Sequence, residues 1–409
     1  MNEPKPNLLI VEDSPVYAEI LLRLLPSLGA ELQFETQWVD SAEKGMEQLQ
    51  ARRYEVVLLD YRLPGADGLA VLGQIRSLPR EIQPAVIMLT GMGNEEVAVE
   101  AMKNGASDYL PKDNLDVPSL IRAITSALER RRLEKQVARY TEELRVKNQE
   151  LEADLNMAHE IQQALLPDRY PTLPRGVAPE QSSLRFCHRY QPTSAVGGDF
   201  LDVFALSDTQ AGIFICDVVG HGVRAALVTA IVRALVEESI PMGQDAGHFL
   251  THINRRLLAI LQKTRAPMFA TAAYLVADVG RGDLQYALAG HPSPLHVKRR
   301  AERVEMLDFD QQPSGPALGV FEEGEFPAAK TTLAEGDLVM LYTDGLYEVT
   351  CQNDEQFGLA RLVDTVRAHL KLPCEQLFDE LLREIHRQSS TKEFDDDVCL
   401  VGMEVVKIG

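Results

Sequence analysis

The stretch AGIFICDVVGHGVRAALVTA, Ala211 to Ala230, decides how the larger part of the chain is read. Ile213, Phe214 and Ile215 make an apolar, β-rich run that ends at Asp217. Gly220 and Gly222 then bracket His221, and an apolar helical run begins at Val223. Strand, glycine turn and helix follow one another, with a carboxylate at the point of change. Glycine tolerates the sharp turn. A carboxylate at a strand end either caps the turn or helix or grips a hard divalent cation, provided that further oxygen ligands converge on it.

Further acids recur in the same setting. Asp199 follows two glycines in SAVGGDF, Asp344 lies between an apolar strand and a glycine in LYTDGLYE, and Asp395, Asp396 and Asp397 precede the final strand in FDDDVCLV. Strand-like runs (LRFCHRYQP, DFLDVFAL, FATAAYLVADV, LQYALAG, DLVMLYTDG, DVCLVGMEVV) are separated by helical stretches at Val223 to Ser239, Ala246 to Lys263 and Leu359 to Leu370. Strands in runs with helices between the runs predict mixed α and β structure with antiparallel sheets. Convergent carboxylates without clustered His or Cys suit Mg²⁺ or Mn²⁺ rather than Zn²⁺. Two adjacent ions of that kind polarise a phosphate and activate water.

On these four motifs the chain, over about residues 155 to 407, resembles the metal-dependent PPM serine/threonine phosphatases in their bacterial SpoIIE/RsbU-like branch. The resemblance implies an α/β/β/α sandwich with two Mn²⁺ or Mg²⁺ ions between its sheets. It implies that Asp217 bridges both ions, that Val218 lends its carbonyl, that Asp344 and Asp396 complete one ion site, and that Asp199 serves the other. Asp397 and then Asp395 are weaker candidates, and Cys399 stands where a threonine is usual. His221 belongs to the glycine turn, and His291, in AGHPSPL, is expected to pack or hydrogen-bond.

The N-terminal part has a different pattern. NLLIVEDS, YEVVLLDYRLPGADG, AVIMLTG and SDYLPKD read as buried strands that end at Glu12 and Asp13, at Asp60, at Thr90 and at Tyr109 with Lys112. Amphipathic segments such as SAEKGMEQL and NEEVAVEAMKNG alternate with them, which predicts a parallel, doubly wound sheet with its ligands at the carboxyl ends of the strands. Glu12, Asp13 and Asp60 can hold Mg²⁺, Asp60 can act as a carboxylate nucleophile toward a phosphoryl donor, and Thr90 and Lys112 can contact the phosphoryl oxygens. About residues 7 to 125 resemble the response-regulator receiver family. That implies Asp60 as phosphoacceptor, Thr90 and Tyr109 as switch residues, and Lys112 as phosphate contact. Two departures stand out: a Glu-Asp acid pair, and a proline, Pro111, before the lysine rather than after it.

Between the two, Ala127 to Leu166 lacks glycine and proline and is rich in Glu, Lys, Arg, Gln and Leu, a strong helix composition. Leu133, Val137, Tyr140 and Leu144 form a coiled-coil seam. The seam changes phase near Lys147 and Asn148 as if four residues had been inserted. The expected organisation is therefore a flavodoxin-like α/β receiver at 1–125, a helical coiled-coil linker at 126–166 that pairs two copies, and an α/β/β/α phosphatase at 167–409.

With 409 residues the chain has room for such domains, and its net charge of −20 argues against nucleic-acid or anionic-membrane binding. The five cysteines show no CxxC spacing, so neither a zinc ribbon nor a disulfide framework is expected, and a reducing cytoplasm fits. Asn2 to Pro6 carries no signal-peptide pattern, and no apolar run has membrane-spanning length. The resulting expectation is a cytoplasmic response regulator. A sensor histidine kinase or phosphotransfer protein would phosphorylate Asp60. The output domain would hydrolyse phosphoserine or phosphothreonine on a protein, of the STAS type in the resembling branch. The rival reading is a catalytically inactive adaptor that binds a sigma factor or another partner. Loss of the metal carboxylates would mark that case, and all are present. GGDF at Gly197 to Phe200 mimics a diguanylate cyclase motif, but the motifs around it do not fit that enzyme.

Overall fold

A computed structural model describes residues 5–29, 32–80, 82–91, 95–264, 268–309, 314–352, 354–391 and 394–409. The chain divides into two compact units, Met1–Asn148 and Gln149–Gly409. The first unit runs β1 (Asn7–Val11), α1 (Pro15–Leu24), β2 (Glu35–Val39), α2 (Ala42–Ala51), β3 (Val56–Asp60), a two-residue hairpin of β4 (Arg62–Leu63) and β5 (Ala66–Asp67), α3 (Gly68–Arg76), β6 (Ala85–Thr90), α4 (Glu95–Lys103), β7 (Asp108–Pro111) and the start of α5 (Val117–Gln163). Its five-stranded sheet has the order β2-β1-β3-β6-β7, with every pair parallel. This is the flavodoxin-like topology. The central strands are apolar on both faces because both are covered: Leu9, Val57 and Val86 pack with α2 and α3, while Leu8, Leu58 and Ile87 pack with α1 and with Leu120 and Ile124 of α5. The edge strand β2, ETQWV, is mostly polar and half-exposed, so its sequence carries no buried-strand signal.

The helix α5 begins at Val117, ahead of the Gly- and Pro-free tract, and continues unbroken past Lys147 and Asn148 to Gln163. Three turn residues follow before Pro167. The phase change of the seam is thus a change in which face is apolar, not a break in the helix.

The second unit continues with β8 (Leu184–Gln191), β9 (Asp199–Ala205), β10 (Gln210–Val218), α6 (Val223–Ser239), α7 (Ala246–Leu261), β11 (Ala270–Asp278), β12 (Asp283–Ala289), β13 (Leu295–Lys298), β14 (Arg303–Met306), β15 (Ala328–Thr332), β16 (Leu338–Tyr342), α8 (Gly358–Ala368), α9 (Cys374–Gln388) and β17 (Val398–Val405). Two antiparallel sheets, β15-β12-β11-β10-β9 and β14-β13-β16-β17-β8, face each other. Leu201, Ile213, Ile215 and Leu275 of one meet Val339, Leu341, Val401 and Met403 of the other. The outer face of the first sheet, with Phe200, Phe214 and Tyr274, packs under α6 and α7. The outer face of the second packs under α8 and α9 through Phe357, Leu362, Leu377, Phe378 and Leu381. The result is an α/β/β/α sandwich.

Cys187 and Cys374 form a disulfide between β8 and the first residue of α9, with Cα atoms 6.5 Å apart. This corrects the expectation drawn from cysteine spacing. Their separation of 187 residues leaves no local motif, and only the packing of α9 on the sheet brings them together. Among the described residues, no helix is long and apolar enough to cross a membrane.

Candidate active site and receiver pocket

Side chains alternate across a strand with a period of two. On β10, Ala211, Ile213 and Ile215 point between the sheets, so Asp217 does too, at the strand's end. On β9, Leu201 and Val203 point inward, which places Asp199 inward at the first residue, directly opposite Asp217 in the register. The same parity carries Thr343 inward just beyond Leu341 of β16, and Asp397 inward just before Cys399 of β17. Asp344 and Asp396 each lie one residue from these. One end of the inter-sheet gap is therefore lined by acids from four segments.

Their electrostatics follow from crowding in a poorly hydrated place. Asp199 is 1 % exposed. Burial first and the Asp217 charge second hold its carboxyl well above the usual range, against the hydrogen bond that Thr343 donates to it at 2.7 Å. Asp217 is pushed up to about 7 by burial and by the charges of Asp344 and Asp396, while a hydrogen bond with Asp199 pulls it down. Burial and Asp396 also raise Asp344. Asp199 Oδ1 is buried with no hydrogen-bond donor among the described residues. An oxygen of this kind, within a set of acids that repel one another, fits a hard divalent cation. Asp396 is exposed and its Oδ1 accepts from the Asp397 amide at 2.8 Å. Asp395 is turned aside to the Thr350 amide at 3.0 Å.

Asp397 faces the protein instead. It accepts from the Thr193 amide (2.7 Å), the Thr193 hydroxyl (3.0 Å) and the Gly198 amide (2.6 Å). Gly198 is in turn held through its carbonyl by the Thr229 hydroxyl at 2.9 Å and the Val218 amide at 3.2 Å. A Cβ at Gly198 would stand 2.6 Å from the Val218 carbonyl oxygen, so only glycine lets the two segments meet. The turn after Asp217 takes positive φ at Gly220 and Gly222. Gln162, near the end of α5, grips Gly197 from both sides: its amide donates to the Gly197 carbonyl (2.7 Å) and accepts from the Gly197 N–H (2.9 Å). Sequence reasoning missed Gln162, Thr193, Thr229 and Thr343. Strand parity marks Thr343, whereas nothing local marks the other three.

His221 is exposed on its turn. His291 is buried, shares a 2.8 Å hydrogen bond with Thr271, and is pushed down to about 3 by burial, so it is neutral at physiological pH. Thr271 stands opposite Asp217 on β11. The Cys399 thiol is raised by burial, and its amide donates to Thr343 Oγ1 at 2.9 Å.

In the receiver, Glu12, Asp13 and Asp60 offer ligand oxygens that all lie within 4.8 Å of one another. Among the described residues no three of the phosphatase acids draw that close. Lys112 bridges the pocket, 2.7 Å from Glu12 Oε2 and 2.9 Å from Asp60 Oδ2. Burial lowers the Lys112 pKa, but the bonds to Asp60 and Glu12 outweigh it, so the net shift is upward. Glu12, wholly buried, is raised by its burial despite Lys112. Pro111 pairs with Thr90 in the β6–β7 register, and Lys112 reaches the acids from the next residue, so the displaced proline leaves the contact intact. Thr90 is buried beside Asp60's strand, whereas Tyr109 is 42 % exposed.

Comparison with known proteins agrees with both halves. The response regulator receiver domain family matches residues 8–148, and the Stage II sporulation protein E (SpoIIE) family matches residues 207–406. Phosphoserine phosphatase RsbP of Bacillus subtilis is 27% identical over 217 residues, 53% of this chain and 51% of that protein. Phosphoserine phosphatase RsbU of the same organism is 24% identical over 243 residues, 59% of this chain and 68% of that protein. The chain thus spans about half the length of RsbP. The SiaA-PP2C domain of Pseudomonas aeruginosa shares the fold, with a TM-score of 0.54 at 23% identity over 63% of this chain and 98% of that one. The chain thus joins a receiver domain, matched over residues 8–148, to a SpoIIE-type domain, matched over residues 207–406.

Proposed function

We propose that the chain is a two-component output enzyme: phosphorylation of Asp60 by a sensor histidine kinase or phosphotransfer protein controls hydrolysis of phosphoserine or phosphothreonine on a STAS-type protein. One observation carries the phosphatase reading. Asp199, Asp217, Asp344 and Asp396 converge at one end of the inter-sheet gap, with a buried, donor-less oxygen on Asp199. The names of RsbP and RsbU support phosphoserine as the substrate group.

Asp199, Asp217, the Val218 carbonyl, Asp344 and Asp396 would hold two Mn²⁺ or Mg²⁺ ions, and Glu12, Asp13 and Asp60 one Mg²⁺ in the receiver. When bound, the ions of the phosphatase site supply charge neutralisation to the phosphoryl oxygens and acidify a water. The chain's own residues position the acids. Thr343 orients Asp199 through its hydroxyl. Asp397 ties the Gly198 backbone to the start of β17, so that Asp199 and Asp396 keep a fixed spacing. Gln162 joins the connector helix to Gly197, two residues before Asp199. That clamp gives a physical route by which a change in α5 alters the acids.

The test is a panel of phosphorylated STAS proteins from the same genome, incubated with full chain and Mn²⁺, with and without acetyl phosphate. Dephosphorylation of one member, changed by acetyl phosphate in wild type but not in Asp60→Asn, is the expected result. Turnover that persists undiminished in chelator would overturn the metal-dependent reading.

A further inference from the structure

A cleft of about 830 Å³ lies in the first unit and is lined by Arg53, Arg76, Arg80, Arg130, Arg131 and Lys135. Six cations meet there in a chain that carries 61 acids against 41 bases. Among the described residues, two acids face them. Glu134 is paired with Arg130 at 3.2 Å, and Glu55 already accepts from the Asn7 amide at 2.6 Å. Arg76 donates to the Gly105 carbonyl and to Gln83, which is structural work at the end of α3. Arg53, Arg80, Arg131 and Lys135 have no side-chain partner among the described residues. A solvated surface spreads like charges apart, whereas these converge on a concavity, where the field of several cations adds. Their proximity registers in their titration. Arg131 is lowered by burial and by Arg76, and Lys135 by burial and by Arg131, with Arg53 adding to it.

We propose that this cleft is a binding site for a compact ligand carrying two or more phosphate groups. Guanidinium groups match phosphate oxygens in bidentate geometry. The volume is in the range of small-ligand sites, roughly 300–1,000 Å³. Among the described residues no aromatic side chain lines the cleft, so the phosphates, not a base, are what it reads. The site lies away from Asp60. Arg53 precedes β3 while Asp60 ends it, and Gln83 precedes β6 while Thr90 ends it. Arg130, Arg131 and Lys135 come from α5, and Arg53, Arg76 and Arg80 from the body of the receiver. A bound polyanion fastens the first exposed turns of the connector helix to the receiver, an input separate from Asp60. The inference is independent of the phosphatase reading.

Calorimetric titration of the full chain with sodium tripolyphosphate and with ATP tests it. Chelator is included to keep divalent ions from bridging the ligand to the aspartates. Both should bind, and binding should weaken steeply from about 50 to about 200 mM salt. Arg131→Gln with Lys135→Gln, and separately Arg53→Gln with Arg80→Gln, should each weaken binding about tenfold or more. Retained labelling of Asp60 by acetyl phosphate shows that the variants are folded. Hydrogen exchange on wild type gives a second readout: tripolyphosphate should slow exchange in residues 76–83 and 128–138 and leave residues 358–388 unchanged. Tripolyphosphate binding as tight as ATP binding or tighter shows that the phosphates alone are read, and ATP binding tenfold or more tighter would show a base being read and overturn the assignment. No binding, binding unchanged in both double variants, or preference for a poly-glutamate peptide or duplex DNA over tripolyphosphate would overturn the proposal.

Discussion

Asp217 occupies a demanding position: an ionisable group at the end of an apolar strand, with Asp199, Asp344, Asp396 and Asp397 around it. Its environment makes its charge unwelcome until a cation arrives. The folded pKa of about 7 lies above the ordinary carboxylate value of 3.8. The protein therefore binds a proton there more tightly folded than unfolded. That contribution to stability is complete below the ordinary carboxylate range and is lost as pH rises through about 7. In chelator, the melting temperature of the phosphatase domain should fall between about pH 5 and about pH 8, and Asp217→Asn should flatten the slope. Adding Mn²⁺ should raise the melting temperature most at the alkaline end, where the acids are ionised. A melting temperature that climbs with pH in chelator would contradict this account. With metal present, Asp217→Ala or Asp344→Ala should lower phosphatase kcat/KM by about a thousandfold or more, with circular dichroism unchanged. Asp397 should behave differently. Removing it leaves the Thr193 and Gly198 amides without their acceptor, so Asp397→Ala should cost about 1–3 kcal/mol of stability in denaturant titration, besides any loss of activity. These roles were unequally legible. Asp199, Asp217, Asp344 and Asp396 announce themselves as acids at turns. Asp397 is indistinguishable from Asp395 and Asp396 until strand parity and the Thr193 and Gly198 contacts separate the three.

At the scale of the element, α5 makes two sets of contacts. Leu120, Ala123, Ile124 and Ala127 are buried in the receiver core, and Gln162 is buried against Gly197. Between them Leu133, Val137, Tyr140 and Leu144 are 55 to 64 % exposed, an apolar seam that no described residue of the chain covers. We expect a second copy of the helix to cover it. Sedimentation should give a dimer, and Val137→Glu with Tyr140→Glu should shift it to monomer. Gln162→Ala should leave the fold intact and reduce the difference in phosphatase activity between phosphorylated and unphosphorylated enzyme, because the helix then loses its two bonds to Gly197. An unchanged ratio would make α5 a tether. Removing seven residues within the seam should preserve regulation, whereas removing three or four should lock activity high or low. The elements that sequence patterning missed are instructive. β2, β14 and β15 lie at sheet edges, where one side faces water and polar residues serve as well as apolar ones. β13 is interior but only four residues long. α9 escaped notice although its apolar positions Leu377, Phe378, Leu381, Leu382 and Ile385 repeat at helical spacing.

For the whole molecule, phosphate at Asp60 should be the regulatory input. Acetyl phosphate should label wild type, and Asp60→Asn should abolish the label; a label that survives there and vanishes in another acidic variant would move the acceptor. Moving the phosphatase from 1:99 to 99:1 active needs about 5.5 kcal/mol of bias, a large demand on one aspartyl phosphate, so partial activation is expected unless dimerisation adds to it. Both folds could be read from the chain because their signals are local. A strand buried on both faces must be apolar throughout, a helix lying on a sheet must repeat its apolar residues, and an acid at a strand end stands out against both. Other features are not local, and only the tertiary structure decides them. The Cys187–Cys374 bond and the Asp397 contacts to Thr193 and Gly198 join residues 187 to 204 positions apart. The Gln162 clamp needs the end of α5 to meet one particular glycine. The cluster of Arg53, Arg76, Arg80, Arg131 and Lys135 collects charges from three segments that look like ordinary solvated surface when read one at a time. Composition and periodicity report what each segment buries. They carry no record of which distant group will come to lie against it, because that is set by how the buried faces pack.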